Sequence, residues 1–195
     1  MPAGNCNLRV ESAGQERKRY ALQLEIERLL LLPLRAEQLR PWAEDDPALE
    51  RALGCAYEGE PMTEEPLRGI VRGQLEIVRG DGGNWLRQTF WLLVRRTDRV
   101  ALGAADFKAP PDENGTVELG YGLGERHRGS GYMTEAEGAL CGWVLSRSGV
   151  RRVIAETEPD NASSRCVLER CGFVLFRETR KSPWWELLRE GGAAG

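Results

Sequence analysis

One segment of the chain combines positive charge, glycine and the start of an apolar, helix-like stretch. It runs from Gly124 to Leu140, reads GERHRGSGYMTEAEGAL, and carries the chain's only histidine. Glycine lets the backbone approach an anion closely, and the free N–H groups of a helix N-terminus attract negative charge. A pyrophosphate is the ligand that fits this combination best. We therefore expect an anion site made of Arg126, His127, Arg128, Gly129, Ser130, Gly131 and Tyr132.

Two nucleotide-binding motifs do not match this segment. The P-loop requires G-x-x-x-x-G-K-[ST], and no such lysine is present. The dinucleotide motif G-x-G-x-x-G also fails, because no glycine stands three residues after Gly131. For so short a pattern, an ordinary glycine turn with solvated arginines is the alternative. His127 lies within the loop, which favours a position beside phosphate or solvent over catalysis, and we expect no metal site.

Composition excludes several classes of protein. The chain has 195 residues and a net charge of −3, which argues against a duplex-DNA binder, so we expect no nucleic-acid partner. The longest apolar run, LLLLPL, is too short to cross a bilayer, and the opening MPAGNCNLRV is too polar for a signal peptide. The five cysteines are scattered and include no C-x-x-C pair, which is typical of reduced thiols. We expect a cytoplasmic protein with no membrane partner.

Apolar periodicity predicts the elements that must position the loop. A strand is expected over Leu22–Leu34, stopping near Pro33, and two short helices broken by Pro41 and Pro47 follow. A third helix begins with Thr63 as its N-cap and Pro66 in its first turn. The pattern also predicts strands over 88–96, 99–107, 116–123, 151–158, 173–178 and 183–189, and helices over about 134–148 and 161–170, the last closed by Gly172.

This order of elements predicts the fold class. We expect an α/β (α+β) domain with a central mixed, mostly antiparallel sheet of about seven strands and helices on both faces. Residues 1–20 are expected to form a flexible N-terminal arm, 21–190 a single domain, and 191–195 a C-terminal tail.

The loop and its surroundings resemble a known superfamily. RHRGSG matches the R/Q-x-x-G-x-G/A pyrophosphate loop of the GNAT acetyltransferases. IERLLLLPL, VELGYGL, GSGYMTEA and NASSRCVLERCGF resemble, in order, segments of the branch that contains the ribosomal-protein-alanine N-acetyltransferases, although Ile26 stands where threonine is usual. The resemblance covers about residues 24–190 and implies a GNAT-like fold.

The resemblance also implies a co-substrate and its place. Acetyl-CoA is expected in a splay between the fourth and fifth strands, here Thr116–Leu123 and Arg152–Glu158. The backbone from Tyr121 to Leu123 would contact the pantetheine arm, and Asn161 matches the asparagine that bonds it. The alternative for Asn161 is the N-cap of the following helix.

Catalytic roles follow from the same resemblance. The position of the usual tyrosine acid, seven residues after the asparagine, holds Leu168. In the branch that the chain resembles, a serine at the position of Ser164 can protonate the thiolate, so the resemblance implies this role for Ser164. A serine that only satisfies its helix backbone is the alternative. Glu118 is the first candidate for the base, because Gly120 and Gly122 on its face leave room for a substrate. Glu156 and Glu158, on the next strand, are the second candidates. The alternative for all three glutamates is a solvated strand residue with no catalytic role.

These observations lead to an expected function. The chain is expected to move an acetyl group from acetyl-CoA directly to a primary amine, either a protein N-terminal α-amine or a small molecule. A non-catalytic acyl-CoA sensor is the alternative class. The acceptor wall is expected from Met62–Gly80 and the final strands. Most tryptophans are expected in the core, while one of Trp184 and Trp185 is a candidate for the acceptor cleft or for the surface of a homodimer.

Overall fold

In the computed structural model, residues 23–44, 46–61, 64–80 and 85–189 are described. The expected arm at 1–20, the expected tail at 191–195 and the expected helix N-cap Thr63 lie outside the described residues.

The described strands form one sheet. Its order is β1-β2-β4-β5-β6-β7-β9-β8, and β3 pairs with β5 off this path. β3–β5 and β6–β7 are parallel, and the other neighbours are antiparallel, which confirms the mixed, mostly antiparallel sheet. The strands are β1 Leu24–Glu25, β2 Leu29–Pro33, β3 Ala56–Tyr57, β4 Phe90–Arg95, β5 Val100–Phe107, β6 Thr116–Leu123, β7 Arg152–Glu156, β8 Val174–Glu178 and β9 Pro183–Leu188.

The predicted count of about seven strands falls short of the nine in the described residues. The single strand expected over Leu22–Leu34 is a hairpin, in which the N–H of Ile26 donates to the carbonyl of Leu29 and closes a turn between β1 and β2. β3 has only two residues. A strand this short has no readable alternation, so neither correction was visible in the periodicity.

Five α-helices in the described residues cover the sheet. α1 Ala36–Glu44, α2 Asp46–Leu53 and α3 Leu67–Gly80 pack on one face, and α4 Tyr132–Leu145 and α5 Ala162–Arg170 pack on the other. None of the described helices combines the length and the apolar character that a membrane span requires. Helices on both faces were predicted and are confirmed.

Alternating strand residues feed two hydrophobic cores, one under each helical layer. On β4, Trp91 and Leu93 face α4, whereas Phe90 and Leu92 face α1 and α3. The apolar stripe expected on α4 is buried throughout and anchors that helix to the sheet: Met133, Ala136, Leu140, Trp143 and Val144.

The two parallel strands β6 and β7 separate part of the way along. They pair from Thr116 with Arg152 as far as Leu119 with Ala155. β6 then continues to Leu123, where it pairs only with β5 among the described strands, while β7 stays with β9. This fork, defined as the divergence of β6 and β7 beyond Leu119 and Ala155, lies between the strands predicted as fourth and fifth. Beyond Leu119, the backbone N–H and C=O groups of β6 on the side of β7 therefore have no partner on that strand.

Candidate active site

The glycine-rich loop connects β6 to α4. A short 3-10 turn at Glu125–His127 follows the strand, and Gly129 and Gly131 then adopt φ angles of 74° and 78°. Such angles favour glycine, which explains both positions. Gly131 is the N-cap of α4, and no side chain among the described residues caps that end. The first N–H groups of α4 are therefore available to an anion.

A cleft of ≈ 500 Å³ opens over this loop and over the N-terminal half of α5; it is called the loop cleft below. Most of the predicted site residues line it: Tyr121, Leu123, His127, Arg128, Gly129, Gly131, Tyr132, Asn161 and Ser164. Arg126 and Ser130 are exposed and do not line it, and neither does Glu118.

The loop cleft is suited to a diphosphate group. A Cβ built on Gly129 would meet no atom within 4 Å, so this backbone faces open space. The uncapped start of α4 adds partial positive charge, and Arg128 and Arg170 line the same cleft. Backbone donors and arginines together are the groups that bind phosphate oxygens.

Two carboxylates after β3 hold the loop's charged side chains. Glu58 bonds Nε2 of His127 at 2.8 Å, and Glu60 bonds Arg128 at 2.9 Å. His127 is buried, so its ring lies against Glu58 rather than against solvent. Sequence reasoning missed both glutamates, because β3 and the segment after it carry no periodic signal.

Arg28 supports the loop from the hairpin between β1 and β2. Its Nε donates to Glu135 at 2.6 Å, and its Nη1 donates to the carbonyl of Ser130 at 2.9 Å. The guanidinium also lies 4.5 Å from the centre of the Tyr132 ring. Ser130 is thus a backbone anchor of the loop. Sequence spacing gave no sign of this contact, which joins residues more than 100 positions apart.

Two hydroxyls meet beside the fork. The Oη of Tyr121 and the Oγ of Ser164 are 2.7 Å apart. Burial raises the pKa of Tyr121, and the hydrogen bond with Ser164 only partly opposes this, so the phenol stays protonated at neutral pH. Asn161 caps α5, since its Oδ1 accepts the N–H of Ser164 at 2.9 Å. The helix-cap alternative for Asn161 is therefore confirmed, while its proposed contact with pantetheine stays a prediction.

The three glutamates considered as bases lie in different surroundings. Glu118 forms an ion pair with Lys108. Glu156 accepts a hydrogen bond from the hydroxyl of Ser182, and Glu158 is exposed. The assignment of a base to any of them stays a prediction.

A second cleft of ≈ 450 Å³ lies where α3 faces β5 and β6; it is called the α3 cleft below. Gly120 and Gly122 line it, as does Ile70, which is 45% exposed. The two clefts share Glu60, Tyr121 and Gly122. Part of the expected acceptor wall, Met62–Gly80, therefore borders a cleft, whereas Met62 lies outside the described residues. The final strands, with Trp184 and Trp185, line neither cleft.

Asp106 on β5 also lines the α3 cleft and was not singled out from the sequence. It is only 5% exposed, and its Oδ2 has no hydrogen-bond partner among the described residues. Burial raises the pKa of Asp106 to about 7; the nearby Lys108 opposes this rise and Glu118 adds to it. The run VALGAADF predicts an apolar strand, and only the unexpected aspartate in that run could have drawn attention to it.

Comparison with known proteins places this geometry in a family. The model of the acetyltransferase (GNAT) domain matches residues 28–174. The uncharacterized N-acetyltransferase YjdG of Bacillus subtilis (strain 168) is 30% identical over 162 residues, which is 83% of this chain and 95% of that protein.

Solved structures share the fold. The ribosomal-protein-S5-alanine acetyltransferase of Vibrio fischeri matches with a TM-score of 0.64 and 15% identity, over 88% of this chain and 99% of that one. RimL, a ribosomal L7/L12 alpha-N-protein acetyltransferase solved with coenzyme A, matches with a TM-score of 0.59 and 17% identity, over 84% and 95%. The family model covers most of the chain, and the fork and the glycine loop of the structure agree with that family. The chain therefore belongs to the GNAT family of acetyltransferases.

Proposed function

We propose that the chain transfers an acetyl group from acetyl-CoA directly to a primary amine, with a protein N-terminal α-amine as the acceptor. The observation that carries this proposal is the meeting of two clefts at the fork. The loop cleft suits the coenzyme, the α3 cleft is open to an acceptor, and Tyr121 and Gly122 border both. A donor and an acceptor in these clefts would be brought together at one point, which supports direct transfer.

The coenzyme would be held by backbone groups at its diphosphate and along its pantetheine arm. The N–H groups at the start of α4 would bind the diphosphate, with Arg128 beside them. The free backbone of β6 beyond Leu119 would pair with the pantetheine arm, and the amide of Asn161 would assist. A backbone N–H near the end of β6 would polarise the thioester carbonyl, which contributes roughly 3 kcal/mol per donor in related chemistry.

The departing thiolate would be protonated by Ser164. Its hydroxyl is bonded to Tyr121, whose phenol is protonated at neutral pH, so the pair offers a proton where no tyrosine exists at the Leu168 position. The Tyr121 phenol would then resupply the serine. This relay supports catalysis over passive binding of an acyl-CoA.

Two considerations support an α-amine as the acceptor. Both solved structures described above carry names that refer to ribosomal proteins, and one name specifies an α-N-protein acetyltransferase. Deprotonating an α-amine of pKa ~7.8 at pH 7 costs about 1 kcal/mol, whereas a lysine amine at ~10.4 costs about 4.6 kcal/mol. An α-amine therefore needs only a modest base.

A small-molecule amine is the second candidate. The α3 cleft has a volume of ≈ 450 Å³ and is bordered by the carboxyl groups of Glu60 and Asp106. A cleft of this size and charge suits a compact cation as well as a peptide terminus.

The proposal is tested by thiol release from acetyl-CoA. The probes are hexapeptides with N-terminal alanine or serine, the same peptides blocked at their α-amine, and the small amines ethanolamine and putrescine. We expect release with the free peptides, an acetyl group on their α-amine by mass spectrometry, and no release with the blocked ones. Release only with the small amines would favour the second candidate. Coenzyme binding by calorimetry without release for any probe would favour the non-catalytic sensor.

A further inference from the structure

Asp106 stands at the fork itself. It pairs across the β5–β6 ladder with Gly120, which is the first residue of β6 beyond the β6–β7 pairing. Its Oδ1 lies 2.7 Å from the point where a Cβ on Gly120 would be. The carboxyl group is therefore packed over the bare backbone of Gly120, on the side that faces the α3 cleft.

This carboxyl group lacks the partners that a structural aspartate has. Its Oδ2 is enclosed and accepts no hydrogen bond from the described residues. Gln74 is the polar side chain of α3 that lines this cleft. Its amide donates to the carbonyls of Gln88 and Phe107 instead of to Asp106. An enclosed carboxylate without a donor is costly, so its retention points to a ligand that supplies the donor.

The charges around Asp106 come from every element packed against it. Lys108 lies just beyond the end of β5 and is paired with Glu118 of β6. Glu60 lines the same cleft, and burial together with the nearby Asp106 raises the pKa of Glu137, on α4 at the other face of the sheet. Lys108 is paired with Glu118 and Arg128 is paired with Glu60, so neither cation forms an ion pair with Asp106. When it is ionised, the Asp106 carboxylate therefore attracts an amine cation into the α3 cleft.

We propose that Asp106 is the catalytic base, accepting the proton that the attacking amine releases; this rests on the function proposed above. In the balanced reaction, the amine nitrogen forms a bond to the acetyl carbon and the bond from that carbon to sulfur breaks. The amine proton passes to the carboxylate of Asp106, and the thiolate takes a proton from Ser164. Ser164 regains its proton from Tyr121, and Tyr121 takes one from solvent while Asp106 returns its own proton to solvent. The net transfer is one proton from the amine to the thiol.

Geometry favours Asp106 over Glu118 for this role. Glu118 lies two residues before Gly120, within the paired part of β6, and lines neither cleft. Its carboxylate is occupied by Lys108, whereas Asp106 borders the α3 cleft with one oxygen unpaired among the described residues. A base with a pKa near the working pH also transfers protons most effectively, and Asp106 meets this condition.

The test compares Asp106→Asn with Glu118→Gln and with the control Glu113→Gln, at an exposed position in the loop between β5 and β6 that lines neither cleft. The assay is acetylation of the alanine hexapeptide between pH 5.5 and 9. We expect Asp106→Asn to lower kcat about 100-fold at pH 7 with an unchanged KM for acetyl-CoA, and to abolish the fall in rate below pH 7. Glu118→Gln should shift that fall to lower pH, because Lys108 would then stabilise the Asp106 carboxylate. Glu113→Gln should match the wild type.

Each outcome decides between the proposals. An active wild type whose rate and pH profile survive in Asp106→Asn overturns the role of Asp106 and leaves the proposed function standing. A wild type inactive on every probe contradicts the proposed function, and the role of Asp106 with it. A second measurement uses only the wild type. Carbon NMR of protein whose aspartates carry an isotope label should show one aspartate carboxyl group that titrates near pH 7. If all aspartates titrate below pH 5, the assignment fails.

Discussion

The hydroxyl oxygens of Tyr121 and Ser164 lie 2.7 Å apart, although one belongs to β6 and the other to α5. β6 is one arm of the fork, and α5 follows β7, the other arm. The N-cap Asn161 fixes the first turn of α5 by accepting the N–H of Ser164. Ser164 is therefore held in place through both its backbone and its side chain. This arrangement supplies the hydroxyl pair on which the proposed protonation of the thiolate depends.

Ser164→Ala should lower turnover by about tenfold to a hundredfold, because the thiolate loses its nearest proton donor. Its affinity for coenzyme A, measured by calorimetry, should stay nearly unchanged. Ser148→Ala, in the exposed turn after α4, is the matched control. Unchanged turnover in Ser164→Ala would remove this serine as the acid.

Tyr121→Phe should lower turnover by less than Ser164→Ala, since Ser164 keeps its own proton but loses the phenol that resupplies it. The two residues share one proton path, so the double variant should be no slower than Ser164→Ala alone. Stopped-flow thiol release from the two single variants and the double variant measures this coupling. Fully multiplicative effects would show that the hydroxyls act independently.

Gly129→Val should abolish coenzyme binding. Its side chain would project into the loop cleft, and φ at this position is 74°, which a β-branched residue does not favour. Gly149→Val separates the two effects: φ is 80° there and a Cβ also meets nothing within 4 Å, yet the position does not line the loop cleft. Calorimetry with coenzyme A should show binding in Gly149→Val and none in Gly129→Val. Equal loss in both would assign the effect to backbone strain.

Asn161 can be tested for both of its roles. Asn161→Ser keeps an oxygen for the N–H of Ser164 and should leave the free energy of unfolding nearly unchanged, whereas Asn161→Ala should lower it by about 1 kcal/mol. Both variants lose the side-chain amide, so both should bind coenzyme A more weakly. Wild-type affinity in Asn161→Ser would reduce the residue to a helix cap.

Asp106 should make stability depend on pH. Its folded-state pKa of about 7 lies above the ordinary 3.8, so the folded protein binds more protons between these values and stability falls as pH rises through that window. Asp106→Asn removes this loss. We expect urea unfolding to show that, from pH 5 to pH 8, the free energy of unfolding of the wild type falls by about 2–3 kcal/mol more than that of the variant. A pH-independent difference would contradict the raised pKa.

Local patterns in the sequence predicted much of the framework. The buried stripe of α4, the left-handed glycines of the loop and the cap at Gly172 depend on residues close together in the chain. The parallel strands of the fork were also predicted at nearly their observed bounds. The hairpin at Ile26 and the two-residue β3 were missed, because a period needs more residues than these elements contain.

The sequence by itself determined the family, the glycine loop and the candidate hydroxyl at Ser164, since each is written in adjacent residues. Only the tertiary structure decided what those residues contact. The register of β5 against β6 brings Asp106 over Gly120, the fork brings Tyr121 to Ser164, and the segment after β3 brings Glu58 to His127. Such contacts depend on how distant strands align and which faces they share, and no local pattern encodes that alignment.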